Sequence, residues 1–140
     1  MKTEKVTINL SAVELAQIDF LVDRGLYSNR SDFIRLASRK QISEHQKELD
    51  KYMEAENDYM SDPLYQKASV VGIMQLGKNF LNEHMLENKY LDIKVVGMLI
   101  ISKDVDFNLA QKVIKKCKIH GKIIANPEIK KYIEDLNNQF

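Results

Sequence analysis

The chain has one cysteine, no tryptophan, two prolines and five glycines in 140 residues. A single cysteine, Cys117, excludes an intramolecular disulfide and fits a reducing cytoplasm. His45, His84 and His120 stand apart, and no Cys/His/Asp cluster has ligand spacing, so no metal is expected. Asp104 and Asp106 lack the further oxygens and turn glycine of a calcium loop and read as a strand-to-helix turn. There is no apolar run of membrane-spanning length and no secretory pattern. Gly72 to Gly77 lacks the lysine–serine pair of a phosphate-cradling loop. No nucleophile elbow, H-E-x-x-H or deaminase zinc motif occurs, so the chain is expected to be neither an enzyme nor a cofactor binder.

Charge of one sign is also lacking. The net charge is +1, so any affinity for nucleic acid has to come from local placement. Residues 1–40 carry seven Lys/Arg against five Asp/Glu, residues 41–69 three against seven, and residues 70–140 eleven against eight. An acidic middle separates two mildly basic ends, and a solvated helix face accounts for it.

What is present begins at Lys5-Val6-Thr7-Ile8-Asn9-Leu10-Ser11. In a strand, Val6, Ile8 and Leu10 share one face and Lys5, Thr7 and Asn9 the other. Ser11, with Glu14 three residues on, forms a capping box that opens a helix from Ala12 to about Arg24, ended by Gly25. A lone terminal strand is unstable, and no hairpin partner follows it. A second copy of the chain supplies one. Two strands paired antiparallel bury Val6, Ile8 and Leu10 and leave Lys5, Thr7 and Asn9 on a ribbon that fits the DNA major groove.

Ser28 or Asn29 then caps a second helix, whose first turn offers free N–H groups and the positive end of the dipole to a phosphate. Asn29, Arg30 and Ser31 add side-chain donors; a plain helix cap with a solvated arginine is the alternative. Phe33, Ile34, Leu36 and Ala37 are expected to enter a dimer core. Helix formers continue without Gly or Pro until Pro63, which predicts one helix to about residue 58 and a break at Ser61-Asp62-Pro63. Its apolar spacing covers too few turns for a coiled coil and suits an amphipathic connector.

Residues 5–42 resemble the ribbon-helix-helix domain of the CopG/Arc/MetJ class of bacterial DNA-binding proteins. The matching features are Val6-Thr7-Ile8-Asn9-Leu10-Ser11, the helix opening at Ser11 and Glu14, the Gly25 turn, and Ser28-Asn29-Arg30-Ser31-Asp32-Phe33-Ile34-Arg35. From Tyr27 to Arg35 the chain is also similar to CopG-type regulators with a C-terminal extension. The resemblance implies an intertwined homodimer with its ribbon in the major groove. It places Lys5, Thr7 and Asn9 on bases and Ser28, Asn29 and Arg30 on phosphate, with Val6, Ile8, Leu10, Phe33 and Ile34 in the dimer core. Some members are antitoxins, and in some the ribbon serves protein contacts.

The last half carries an internal repeat. Val70–Met74, Val95–Ile101 and Ile119–Ile124 read as strands around a glycine, with the glycines 25 and 24 residues apart. Helical stretches follow at about Lys78–Asn88, Asn108–Lys116 and Pro127–Leu136, with Asp106 capping the second and Asn126-Pro127 opening the third. One strand and one helix per unit predict parallel strands with helices on one side, in a short βα solenoid-like domain. A compact α/β sandwich that binds an effector is the alternative. The recurring glycine marks a strand site of close approach. Cys117, between Lys116 and Lys118, is either a plain half-buried thiol or one with a lowered pKa.

Together these features predict a mixed α/β chain: a dimeric ribbon-helix-helix domain over 1–44, a helical extension over 45–66 and a βα repeat domain over 67–140 for oligomerisation or effector sensing. The expected function is a cytoplasmic, homodimeric regulator, a repressor or autoregulator, that binds double-stranded DNA and assembles further through its C-terminal domain. The competing expectation is a protein-interaction module, antitoxin-like or a scaffold, that uses the same fold for dimerisation.

Overall fold

The computed structural model describes residues 3–54 and 62–139, and the chain divides into two compact units, Met1–Glu48 and Leu49–Phe140. In the first, α1 spans Ala12–Asp23 and α2 spans Arg30–Glu44. Ser11 and Glu14 close the expected capping box: the Ser11 hydroxyl accepts from the Glu14 N–H at 3.2 Å, and the Glu14 carboxylate accepts from the Ser11 N–H at 2.9 Å. Arg24 ends α1, and Gly25 turns the chain at φ +77°, a conformation that favours glycine.

The segment Lys5–Leu10 forms no strand in the single chain. Its backbone groups have no ladder to join without a second strand, so extended sequence stays unpaired coil. None of the five side chains assigned to a dimer core is buried. Val6, Ile8 and Leu10 are 78%, 51% and 38% exposed, and Phe33 and Ile34 are half-buried. Leu36 and Ala37 are exposed as well.

The long second helix is also corrected. It breaks at His45, whose N–H reaches back to the Ile42 carbonyl, and α3 restarts over Gln46–Glu54. The expected course from residue 55 to 61 lies outside the described residues; Tyr65 follows a turn in which its N–H donates to the Asp62 carbonyl.

The second unit alternates strand and helix: β1 (Tyr65–Leu76), α4 (Lys78–Leu86), β2 (Tyr90–Ile101), α5 (Phe107–Val113), β3 (Ile114–Ile124) and α6 (Pro127–Gln139). The strands lie parallel in the order β1-β2-β3. Helix α4 packs on α5 and α5 on α6, so the three cover one face. The helix-side residues, among them Ile93, Val95, Leu99, Cys117, Ile119 and Ile123, join Leu81, Val113, Ile129 and Ile133 in one core. Helix α5 ends at Val113, earlier than its sequence suggests. Ile114 is already extended, and Lys115 is the extra residue of a bulge, since Leu91 pairs with Ile114 and Asp92 with Lys116.

Gly72, Gly97 and Gly121 are direct cross-strand neighbours, all with φ between +134° and +143°. A Cβ on Gly97 would lie 2.0 Å from the Gly72 carbonyl oxygen, and one on Gly121 1.8 Å from the Gly97 oxygen. The close approach expected of the repeated glycine is therefore between backbones. Each strand leans its carbonyl into the space where the next would carry a side chain.

Candidate nucleic-acid interface

In the first unit, Lys5, Thr7 and Asn9 are all exposed, with no hydrogen bond from their side chains among those described. Beside them, Leu10 joins Val13, Ile18, Phe20, Leu21 and Phe33 along a groove of about 960 Å³ between the N-terminal segment and the two helices. Val13 and Phe20 on its wall are 68% and 58% exposed. Tyr27 packs edge-on against Phe33, 4.9 Å between ring centroids, and so anchors the start of α2. Exposed polar residues of the N-terminal segment and an uncovered apolar wall thus occur in one small unit.

The three residues expected to hold phosphate converge at the start of α2, where each already has an internal role. Asn29 is the cap: its Oδ1 accepts from the Asp32 N–H at 2.8 Å. The Ser28 N–H donates to the Asp32 carboxylate at 3.1 Å, which makes the cap reciprocal. The Arg30 guanidinium grips Asp19 of α1 with two parallel bonds, Nε to Oδ1 at 2.7 Å and Nη2 to Oδ2 at 2.8 Å. This pairing holds the Asp19 carboxyl below its ordinary pKa and raises that of Arg30. Arginine has five N–H donors. The fork that holds Asp19 leaves Nη1 unused in that pair, and the pair fixes its direction. The first-turn N–H groups of Arg30 and Ser31 have no helical carbonyl behind them, as at any helix start.

Asp19 and Asp32 are the functional neighbours that a reading of donors alone overlooks. The spacing Asn29-x-x-Asp32 carries the signal for one. Nothing local announces Asp19, eleven residues before Arg30.

In the second unit, Lys94 of β2 is only 4% exposed. It lies beneath Tyr52 of α3 on the sheet face away from α4–α6; its Nζ is 3.8 Å from the ring centroid and donates to the Tyr52 carbonyl. The Tyr52 hydroxyl meets His120 Nε2 at 3.1 Å, so His120 is a bonded strand histidine. His84 is buried, its Nδ1 2.9 Å from the Phe80 carbonyl and its Nε2 2.7 Å from Gln66 Oε1. No group of three or more His, Cys, Asp or Glu among the described residues is placed to hold a metal. A lowered pKa for Cys117 is overturned. Its thiol is 2% exposed and is pushed up to about 12 by burial, with the Asp92 charge adding to the rise. Asp106 caps α5 as expected, at 2.7 Å to the Leu109 N–H. Asn126 does not cap α6 with its side chain, which donates instead to the carbonyls of Lys103 and Val105. No helix among the described residues is long and apolar enough to cross a membrane.

Compared with known proteins, residues 1–130 match the model of the ribbon-helix-helix transcriptional regulator family, and the chain belongs to that family. No curated protein and no solved structure matches it.

Proposed function

From that membership and from the site geometry, we propose that the chain is a homodimeric, sequence-specific DNA-binding regulator, most simply a repressor or autoregulator of the cytoplasm. The observation that carries the reading is the N-terminal segment. Val6, Ile8 and Leu10 are uncovered, Leu10 on the wall of an apolar groove, while exposed Lys5, Thr7 and Asn9 alternate with them along the chain. A second copy brings the missing strand, closes Val6, Ile8, Leu10, Phe33 and Ile34 into a shared core, and leaves six polar side chains on a two-stranded ribbon. An amide and a hydroxyl at Asn9 and Thr7 are the groups that read base edges, and Lys5 adds a donor. Ser28, Asn29 and Arg30 then steady the ribbon against phosphate, Arg30 through the donors that Asp19 does not use.

In this reading residues 1–44 bind DNA, residues 45–66 extend them, and the βα repeats of 67–140 assemble dimers or sense a signal. One observation favours the second reading, a protein-interaction module. The carboxylates of Asp19 and Asp32 already engage the groups that would clamp phosphate, which lowers the local positive potential.

Selection from a random duplex pool at two salt concentrations separates the two readings. A regulator retains a short inverted repeat that persists at the higher salt. Asn9→Ala is expected to relax the retained sequence, whereas Arg30→Ala weakens all duplexes alike and lowers the salt slope by about one. Retention that vanishes with salt and enriches no sequence, unaltered by either substitution, defeats the DNA reading and leaves the interaction module.

A further inference from the structure

The two edges of the three-stranded sheet are finished differently. At the β3 edge, the Ile119 N–H donates to Asn137 Oδ1 at 2.8 Å, and Asn137 Nδ2 donates back to the Ile119 carbonyl at 3.0 Å. The side-chain amide takes the place of a fourth strand's peptide in the middle of β3. At the β1 edge no strand pairs among the described residues. Val71 and Ile73 of β1 are 44% and 49% exposed. Soluble proteins blunt, charge or cover such an edge.

Gly72, between those two residues, repeats the anomaly of the inner strands. At Gly97 and Gly121 the left-handed φ accompanies a neighbouring carbonyl that excludes a Cβ. Gly72 has the same conformation, φ +136°, yet a Cβ there would meet nothing within 4 Å. The edge glycine keeps the shape of a residue that faces a close backbone, and its own chain supplies none.

We propose that β1 pairs antiparallel with β1 of a second copy, about a two-fold axis at Gly72, joining two three-stranded sheets into one of six strands. The sequence is self-complementary in that register. Gly72 stands opposite Gly72 of the second copy with no side chain between them. Val71 falls opposite Ile73, and Val70 opposite Met74, so apolar meets apolar on both faces. Ser69 falls opposite Gln75 and Lys67 opposite Gly77, so polar groups can bond and no like charges meet. Pairing β1 with β3 of another copy would displace Asn137 from Ile119, and its head-to-tail symmetry need not close. The two-fold pairing keeps that amide in place and closes on itself. It goes beyond the DNA reading and does not rest on it.

Spin labels test the pairing in the 140-residue chain, where buried Cys117 stays unlabelled. In the proposed register, labels on Ser69→Cys in two copies lie six residues apart along opposed strands, a backbone separation of about 20 Å, and so do labels on Gln75→Cys. Both distances are expected, and both are expected to vanish when Ile73→Lys places an ammonium opposite Val71. Circular dichroism checks that each variant folds, and sedimentation checks the assembly. A protein that is monomeric, or that is dimeric or larger yet lacks the distance in both labelled forms, overturns the proposal. So does a short distance between labels on Ser69→Cys and Lys118→Cys of different copies, which would mark β1–β3 pairing. Duplex retention by the same proteins is read separately, so failure of the DNA reading leaves the distance intact.

Discussion

Among the described residues, Met1–Glu48 has one buried hydrophobic side chain, Ile18, whereas Leu49–Phe140 has eighteen in a single cluster. Composition does not explain the contrast, because α1 of the first unit (AVELAQIDFLVD) is richer in apolar residues than any helix of the second. Topology does. The second unit folds three helices back over its own sheet, so the helix-side residues of that sheet find partners within the chain. The first has two helices and an extended segment, too few layers to enclose anything, and its apolar residues line an open groove. A unit of that kind derives its stability from whatever closes the groove, and in the proposed reading that is another copy of itself.

The largest effects should come from the glycine column, which belongs to the second unit. Gly97→Ala and Gly121→Ala each drive a Cβ into a backbone oxygen that cannot move without breaking the strand register. Each is expected to abolish the C-terminal unfolding transition in urea, or to cost more than about 4 kcal/mol, which places it among the exceptional substitutions. Gly72→Ala meets no atom in its own chain and, at protein concentrations too low for copies to pair, carries only the conformational strain of its φ, about 1–3 kcal/mol. Equal losses at all three positions would mean that backbone conformation and not the close approach selects glycine there.

Next come truncations that set the two units against each other. Ile133→Ala removes a fully buried side chain of α6 and should cost about 2–5 kcal/mol, whatever the protein concentration. Phe20→Ala removes a side chain that is 58% exposed in the single chain. It should leave the C-terminal transition unmoved and lower only an N-terminal midpoint that rises with protein concentration. An N-terminal midpoint that ignores concentration would show that the first unit is stable alone and that its groove has another use.

The elements that sequence made legible are those whose determinants lie within a few residues. The capping box at Ser11 and Glu14, the Gly25 turn, the Asn29 cap and the Asp106 cap each act over three residues or fewer. Short apolar runs around a recurring glycine marked the middle of all three strands, because that signal is local as well. What escaped is long-range or breaks the period. The Lys115 bulge interrupts the alternation of β3, so its first residues read as helix. Lys94 sits in a strand at a position that looks solvated, and Tyr52, forty-two residues earlier, lies over it. Asn137 reaches Ile119 across eighteen residues. In the candidate interface the donors Ser28, Asn29 and Arg30 were visible in sequence, but the acid that holds Arg30 lies on another helix.

A smaller effect comes from pH at the alkaline end, and it should be confined to the second unit. Burial raises the Cys117 thiol to about 12, so the folded chain keeps its proton where the unfolded chain, near its ordinary value of about 8.5, gives it up. The contribution of this group is complete below that unfolded value and declines as pH rises towards the folded one. The urea midpoint of the C-terminal transition should therefore fall between pH 9 and 12 more steeply in the parent protein than in Cys117→Ala. Parallel slopes in the two proteins would mean that other groups account for the alkaline loss.

The smallest effect belongs to the first unit and has the opposite sign. Asp19 titrates below its ordinary value because Arg30 bonds to its charged form, so the pair contributes fully above the ordinary carboxylate range and its contribution is lost as pH falls through the depressed value. Both side chains are about half exposed, and solvent screening keeps the energetic effect small. The carboxyl resonance itself is the sharper readout. Its titration midpoint should move up to the ordinary range in Arg30→Ala, while the Glu14 midpoint, lowered by the Ser11 hydrogen bonds, stays where it is. A bound duplex that draws Arg30 away from Asp19 raises the Asp19 midpoint in the same direction. A duplex that engages only the donors left over by the pair leaves it unchanged. The presence or absence of that shift therefore distinguishes an arginine released by DNA from one held in place for it.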